Sequence, residues 1–217
     1  MSSDLVILLH GFHRNALRMQ PMAEDFRSRG YRVLVPNMPS TKGRLNTCVQ
    51  SLANSLGHAG IFAGQEPVVH LVGHSYGGLI ARGLLAQNVV PGLASLTCMG
   101  STHLGSRIAD VMVRLGMQRW QSALYEFRTP GPRIPPPLQG YPPKVQLIAG
   151  NINKLWWGRF LLPPESDGRL TIASALAIGA AGDAIGFPAW IQRSILDLDH
   201  HQLMDPGPVV DAIVAGF

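Results

Sequence analysis

With 217 residues, the chain is long enough for one domain with a substantial core. Its formal charge of +5 comes from 18 lysines and arginines against 13 aspartates and glutamates, dispersed without a basic run, which argues against a nucleic-acid surface. The longest apolar segment, 170–187, is interrupted by Asp183 and rich in small residues, so it suits a buried helix better than a bilayer span.

Taken in order, Leu5 to Leu9 is an unbroken apolar run, the mark of a strand buried on both faces, and it ends in His10-Gly11-Phe12-His13. Because this run starts so close to Met1, no export leader is expected if Met1 is the native start, and a cytoplasmic protein follows. Cys48 and Cys98 show no framework spacing and read as reduced, buried thiols. Residues 14–29 carry apolar positions at helical spacing, with Gly30 as the terminator. Strand 33–35 and helix 45–56 follow.

Val68 to Val72 is the next strand. It runs into Gly73-His74-Ser75-Tyr76-Gly77-Gly78, after which residues 79–86 read as a helix. Strand, sharp turn, serine and helix are the context that gives G-x-S-x-G chemical meaning. The turn exposes the Ser75 hydroxyl above the sheet, and Gly73 and Gly77 stand where side chains would collide with neighbouring backbone. Strand 94–99 ends at Gly100-Ser101-Thr102-His103, and helical periodicity returns over 105–127. The proline-rich stretch 130–143 is neither regular helix nor central strand and reads as a connection or part of a cap within 104–144. Strand 145–149, a possible helix over 170–180, a last strand at 194–198 and a closing helix from Val209, with Pro208 at its start, complete the chain.

Short apolar strands alternating with helices indicate an α/β fold: a three-layer sandwich with a mostly parallel sheet of about six strands and helices on both faces. In such sheets functional groups collect at the carboxyl ends of strands. His10, Ser75, His103, Asp167 and His200 all fall there. A serine nucleophile needs a base within hydrogen-bond reach, and that base needs an acceptor for its other ring nitrogen. His200 and His201, after the last strand, are the candidate bases. Asp167 is the candidate acid, with Asp183, Asp197, Asp199 and Glu165 as competitors. No H-E-x-x-H or Cys/His pairing suggests a metal, and the first strand ends without G-x-G-x-x-G, so neither metal nor cofactor is expected.

These motifs resemble the α/β-hydrolase superfamily, and within it the small bacterial lipases and esterases with minimal caps. The resemblance spans nearly the whole chain: His10-Gly11-Phe12, the Gly73–Gly78 elbow, Asp167-Gly168, and His200-x-x-Leu203-Met204. It implies a single hydrolase domain lacking the family's first edge strands, with the order serine, acid, histidine. The register of the terminal motif favours His200 over His201. The resemblance further implies an oxyanion hole made by the backbone N–H groups of Phe12 and Tyr76, and a carboxylic ester as substrate. His10 is expected to brace its loop, and His74 reads as a packed histidine at least as readily as a catalytic one. His103, Leu104, Trp120, Trp156 and Trp157 are candidates for the substrate cleft and suggest a small-molecule ester with a hydrophobic acyl group, with interfacial lipid contact open to it. A thioesterase, amidase or acyltransferase on the same triad is the alternative, and a non-catalytic binding protein on the same scaffold is a third reading. No oligomeric state is implied.

Overall fold

A computed structural model describes residues 4–58, 68–90, 92–155, 160–179 and 185–217. Six strands form one sheet in the order β2-β1-β3-β4-β5-β6, and every pairing is parallel. They are β1 (Leu5–Leu9), β2 (Arg32–Leu34), β3 (Val69–His74), β4 (Leu93–Met99), β5 (Lys144–Gly150) and β6 (Gln192–Leu196). β1 and β3 are buried at every position, which explains their unbroken apolar runs: side chains alternate between two covered faces. Ile7, Leu9, Leu71 and Cys98 enter the core shared with α2 (Leu45–His58) and α3 (Tyr76–Ala86). Val6, Leu8, Val72 and Met99 enter the opposite core, closed by Met22 and Phe26 of α1 (Gln20–Ser28) and by Val209, Val210 and Ile213 of the last helix.

The sequence reading needs adjustment where burial is uneven. The expected helix over 14–29 divides into a 3-10 turn, Ala16–Met19, and α1, which has Pro21 in its first turn, where the missing N–H costs nothing. The periodic stretch 105–127 is not one helix. It is α4 (Arg107–Arg114) followed by 3-10 turns at Met117–Arg119 and Ser122–Phe127, because Gly116 takes a left-handed conformation at φ 80°. Of the expected helix over 170–180, the described residues 170–179 form only α5 (Ile172–Ala175). β6 ends two residues earlier than expected; as an edge strand carrying exposed Gln192 and Arg193, it lacks the apolar run that marks the central strands. Residues 128–143 contain no helix or strand. The chain closes on α6 (Pro208–Val214). No described helix is long and apolar enough to cross a membrane.

Candidate active site

Ser75 stands between β3 and α3 at φ 53° and ψ −116°, a conformation that L-residues rarely hold and that costs about 1–3 kcal/mol. The surroundings over-determine it. The Ser75 N–H donates to the Met99 carbonyl at 2.8 Å, and the Ser75 carbonyl accepts from the Gly78 N–H at 3.2 Å. A Cβ at Gly77 would lie 2.1 Å from the Leu9 carbonyl oxygen, and one at Gly73 would lie 2.5 Å from the Gly77 backbone. The two glycines therefore let β1, β3 and α3 approach closely enough to hold the serine in its turn. Tyr76, the first residue of α3, is fully buried and donates its hydroxyl to the Gly43 carbonyl at 3.0 Å.

Asp167 and His200 meet across 33 residues of sequence, with Asp167 Oδ2 2.7 Å from His200 Nδ1. The carboxylate is 3% exposed, and its other oxygen accepts the N–H groups of Arg169 and Leu170, each at 2.8 Å. A backbone bond from the His200 N–H to the Asp167 carbonyl, 2.9 Å, locks the two loops together. A carboxylate engaged on both oxygens in this way is held in one orientation. With Nδ1 engaged, Nε2 is the ring nitrogen left for other work. Gly100, at φ 52° beyond β4, provides the room: a Cβ there would lie 3.2 Å from His200 Nδ1 and 3.3 Å from Asp167 Oδ2.

The competing residues have other partners. Asp199 Oδ1 accepts the N–H groups of His201 and Gln202, both at 2.9 Å, and so caps the turn that presents His200. Asp197 accepts from Asn151 Nδ2 at 2.7 Å on the surface, and Glu165 is exposed. His201 Nδ1 accepts from the Arg14 guanidinium at 3.2 Å and does not contact Asp167. Asp183 lies outside the described residues.

Two further histidines hold backbone in place. His10 Nε2 accepts the Met38 N–H at 3.1 Å while Nδ1 donates to the Gly11 carbonyl, also at 3.1 Å, so the ring braces the loop after β1 in one neutral tautomer. His74 Nε2 donates to the His200 carbonyl at 2.8 Å, with the two rings 4.7 Å apart. Burial and then the neighbouring His200 push the His74 pKa well below the usual histidine value, so it stays neutral. Its role in this geometry is to hold the backbone of His200.

Ser75 and His200 both line one cavity of about 350 Å³, together with Gly11, Phe12, His74 and Thr102. One wall is apolar, formed by Ile108, Ala109 and Met112 of α4 and by Leu124 and Phe127 of the following turn. Phe12 packs edge-on against Phe127, with centroids 5.2 Å apart.

The model of the alpha/beta hydrolase family matches residues 6–212. The chain belongs to that family. Among solved structures, a Bacillus licheniformis lipase in its mature form is similar at 18% identity and TM-score 0.78, covering 99% of this chain and 91% of the other. A metagenomic carboxyl esterase aligns at 11% identity and TM-score 0.70, covering 99% and 75%. A lipase-esterase related protein from Clostridium acetobutylicum aligns at 12% identity and TM-score 0.64, covering 100% and 95%. No curated protein matches the chain. Family membership supports a hydrolase, and the similarity to these structures is one of fold.

This alpha/beta hydrolase places several expected cleft residues elsewhere. His103 does not line the cavity: it is fully buried with Nδ1 3.3 Å from the Arg82 guanidinium and its ring edge-on to Phe187. Leu104 donates its N–H to Ser174 Oγ, 3.2 Å, and stays outside the cavity lining. Trp120 is 79% exposed, because Gly116 ends α4 and turns the chain toward solvent before it. Trp156 and Trp157 lie outside the described residues. Apolar size alone does not distinguish a cleft wall from core or surface. Of the residues that do form the apolar wall, Ile108 and Met112 sit at the helical spacing read within 105–127, and Leu124 lies in the 3-10 turn that follows α4. Arg14 and Arg169 also line the cavity; their only sequence signal was adjacency to the His10-Gly11-Phe12 and Asp167-Gly168 motifs. Among the described residues, no group of three histidine, cysteine or acidic side chains could hold a metal.

Proposed function

We propose that this chain is a serine hydrolase of carboxylic esters, with Ser75 as nucleophile, His200 as base and Asp167 as the acceptor that orients it. The observation that carries the reading is the 2.7 Å contact between His200 Nδ1 and a buried Asp167, at the rim of the cavity that the Ser75 elbow also lines. The mechanism follows from these positions. His200 Nε2 takes the Ser75 proton as Oγ attacks the ester carbonyl. The backbone N–H groups of Phe12 and Tyr76 receive the oxyanion of the tetrahedral intermediate; among the described residues neither donates to a carbonyl in the turn and loop bonding. Collapse of the intermediate breaks the ester C–O bond, and His200 returns the proton to the leaving alcohol. Water then enters, gives a proton to His200, and attacks the acyl-enzyme carbonyl to release the acid and regenerate Ser75. Asp167 holds His200 in place throughout, through the contact at Nδ1, while its other oxygen accepts two backbone N–H groups. The apolar wall suits a hydrophobic acyl chain, with α4 and its following turns as a small cap.

The test is covalent labelling by a fluorophosphonate probe together with hydrolysis of p-nitrophenyl esters of increasing chain length. We expect both in the native protein and neither in Ser75→Ala. A native protein that takes no label would end the enzyme reading. Faster turnover of acyl-CoA than of matched oxygen esters would move the assignment to a thioesterase on the same triad.

A further inference from the structure

The cavity has two unlike walls, and its polar one is cationic. Arg14 and Arg169 line it alongside His13 and His201, and no aspartate or glutamate among the described residues does. Neither arginine has a carboxylate partner among the described residues. Arg14 donates to the ring of His201, and the Arg169 side chain has no hydrogen-bond partner among the described residues. Nearby acids are already committed: Asp167 to His200 and two backbone amides, Asp199 to Lys154 and its own turn, Asp205 to Arg18. The two guanidinium groups also feel each other. Burial and then the charge of Arg14 lower the Arg169 pKa, with only Asp167 acting in the opposite sense. Two like charges brought together without a counter-ion leave an unmet demand for an anion.

Their position says which part of the substrate meets them. In an ester bound at Ser75, the leaving oxygen must face the base that will protonate it, so the alcohol portion lies on the His200 side. Arg14 contacts His201, the residue after the base, and Arg169 is two residues after the acid that holds it. The apolar wall of α4 and the turn after it remains for the acyl chain.

Resting on the serine-hydrolase reading above, we propose that the natural substrate is an ester whose alcohol portion carries a phosphate group. Arg14 and Arg169 hold the phosphate while the acyl chain lies against Ile108, Met112 and Leu124. Two guanidinium groups lining one cavity suit a phosphate in charge, and each offers it a forked pair of donors.

The experiment compares kcat/KM for three octanoyl esters presented as monomers at low ionic strength: those of glycerol, glycerol phosphate and choline. The phosphate ester should exceed the glycerol ester by at least about tenfold and the choline ester should be poorest, as expected for charge-assisted hydrogen bonds to one group. In the double variant Arg14→Gln/Arg169→Gln the phosphate-to-glycerol ratio should fall at least about tenfold, and in the native enzyme it should fall as salt is added. Arg14→Glu, which keeps a folded exposed side chain, should raise the choline-to-glycerol ratio. A hexadecanoyl ester of glycerol phosphate in neutral vesicles, run beside the soluble octanoyl ester, separates a lipid headgroup from a soluble phosphorylated alcohol as the source of the phosphate. Equal native rates on the phosphate and glycerol esters, or a ratio that survives the double variant, would overturn the proposal. Failure of the underlying reading looks different: no fluorophosphonate label and no turnover of any of the three esters.

Discussion

His200 and His103 both lie beyond carboxyl ends of strands in the same sheet, and both are buried, yet they have opposite partners. His200 faces a carboxylate at 2.7 Å and opens onto the cavity. His103 faces the Arg82 guanidinium at 3.3 Å, and its Nε2 has no hydrogen-bond partner among the described residues. A carboxylate stabilises the imidazolium that forms when a base takes a proton. Burial and then a guanidinium do the reverse, and they push the His103 pKa well below the usual value. Being a histidine at this edge of the sheet is therefore not enough; the charge behind the ring decides whether it can act as a base.

The comparison can be broken at either end. Removing the proposed base should have the largest effect: His200→Ala is expected to lower kcat for a p-nitrophenyl ester by about 10⁴- to 10⁶-fold, with Ser75→Ala similar and the double variant no worse, because the members of such a triad act as a unit. Next comes Asp167→Asn, which keeps the shape of the contact but lets Nδ1 lose its acceptor; we expect a fall of about 10²- to 10⁴-fold, measured by the same assay. His201→Ala should cost less than about tenfold, since its ring contacts Arg14 and not Asp167. A large loss there with a small one in His200→Ala would reverse the assignment of the base.

The smallest effect on turnover is expected at His103, where His103→Gln should change kcat less than about threefold, a surface-like response for a group outside the chemistry. Its signature is in stability. His103 and His74 are both neutral in the fold because their pKa values are lowered, whereas in the unfolded chain they titrate at the ordinary value near 6.5. Above that pH both states are neutral and stability is unaffected. Below it the unfolded chain binds protons the native chain refuses, so stability falls as the pH falls. Each such histidine contributes up to about 1.4 kcal/mol per pH unit to that slope. Denaturant midpoints between pH 7 and 5 should therefore decline less steeply in His103→Gln than in the native protein. An unchanged slope would mean that the Arg82 environment does not keep His103 neutral.

Much of this contrast was already visible along the chain. The elbow was legible because its causes are local: an apolar strand, two glycines where Cβ atoms would strike backbone, and a helix that starts at Tyr76. Asp167 and His200, the residues singled out as acid and base, are the pair in contact, and their competitors Asp197 and Asp199 have other partners. The cleft was less legible. Trp120 looked suited to an apolar substrate and is exposed, whereas the wall is built from Ile108 and Met112, spaced as on any amphipathic helix, and from Leu124 of a later 3-10 turn.

By itself the sequence determined the strands buried on both faces, the strained serine turn and the side of the sheet on which polar groups gather. These depend on backbone sterics and on alternation over a few residues, which act at short range. The tertiary structure alone decided which partner each polar group meets. Asp167 reaches His200, Arg82 reaches His103, and Arg14 and Arg169 come to the same cavity wall because strand order and loop path bring distant segments together. No local pattern encodes those distances, and they are what separate a base from a buried spectator.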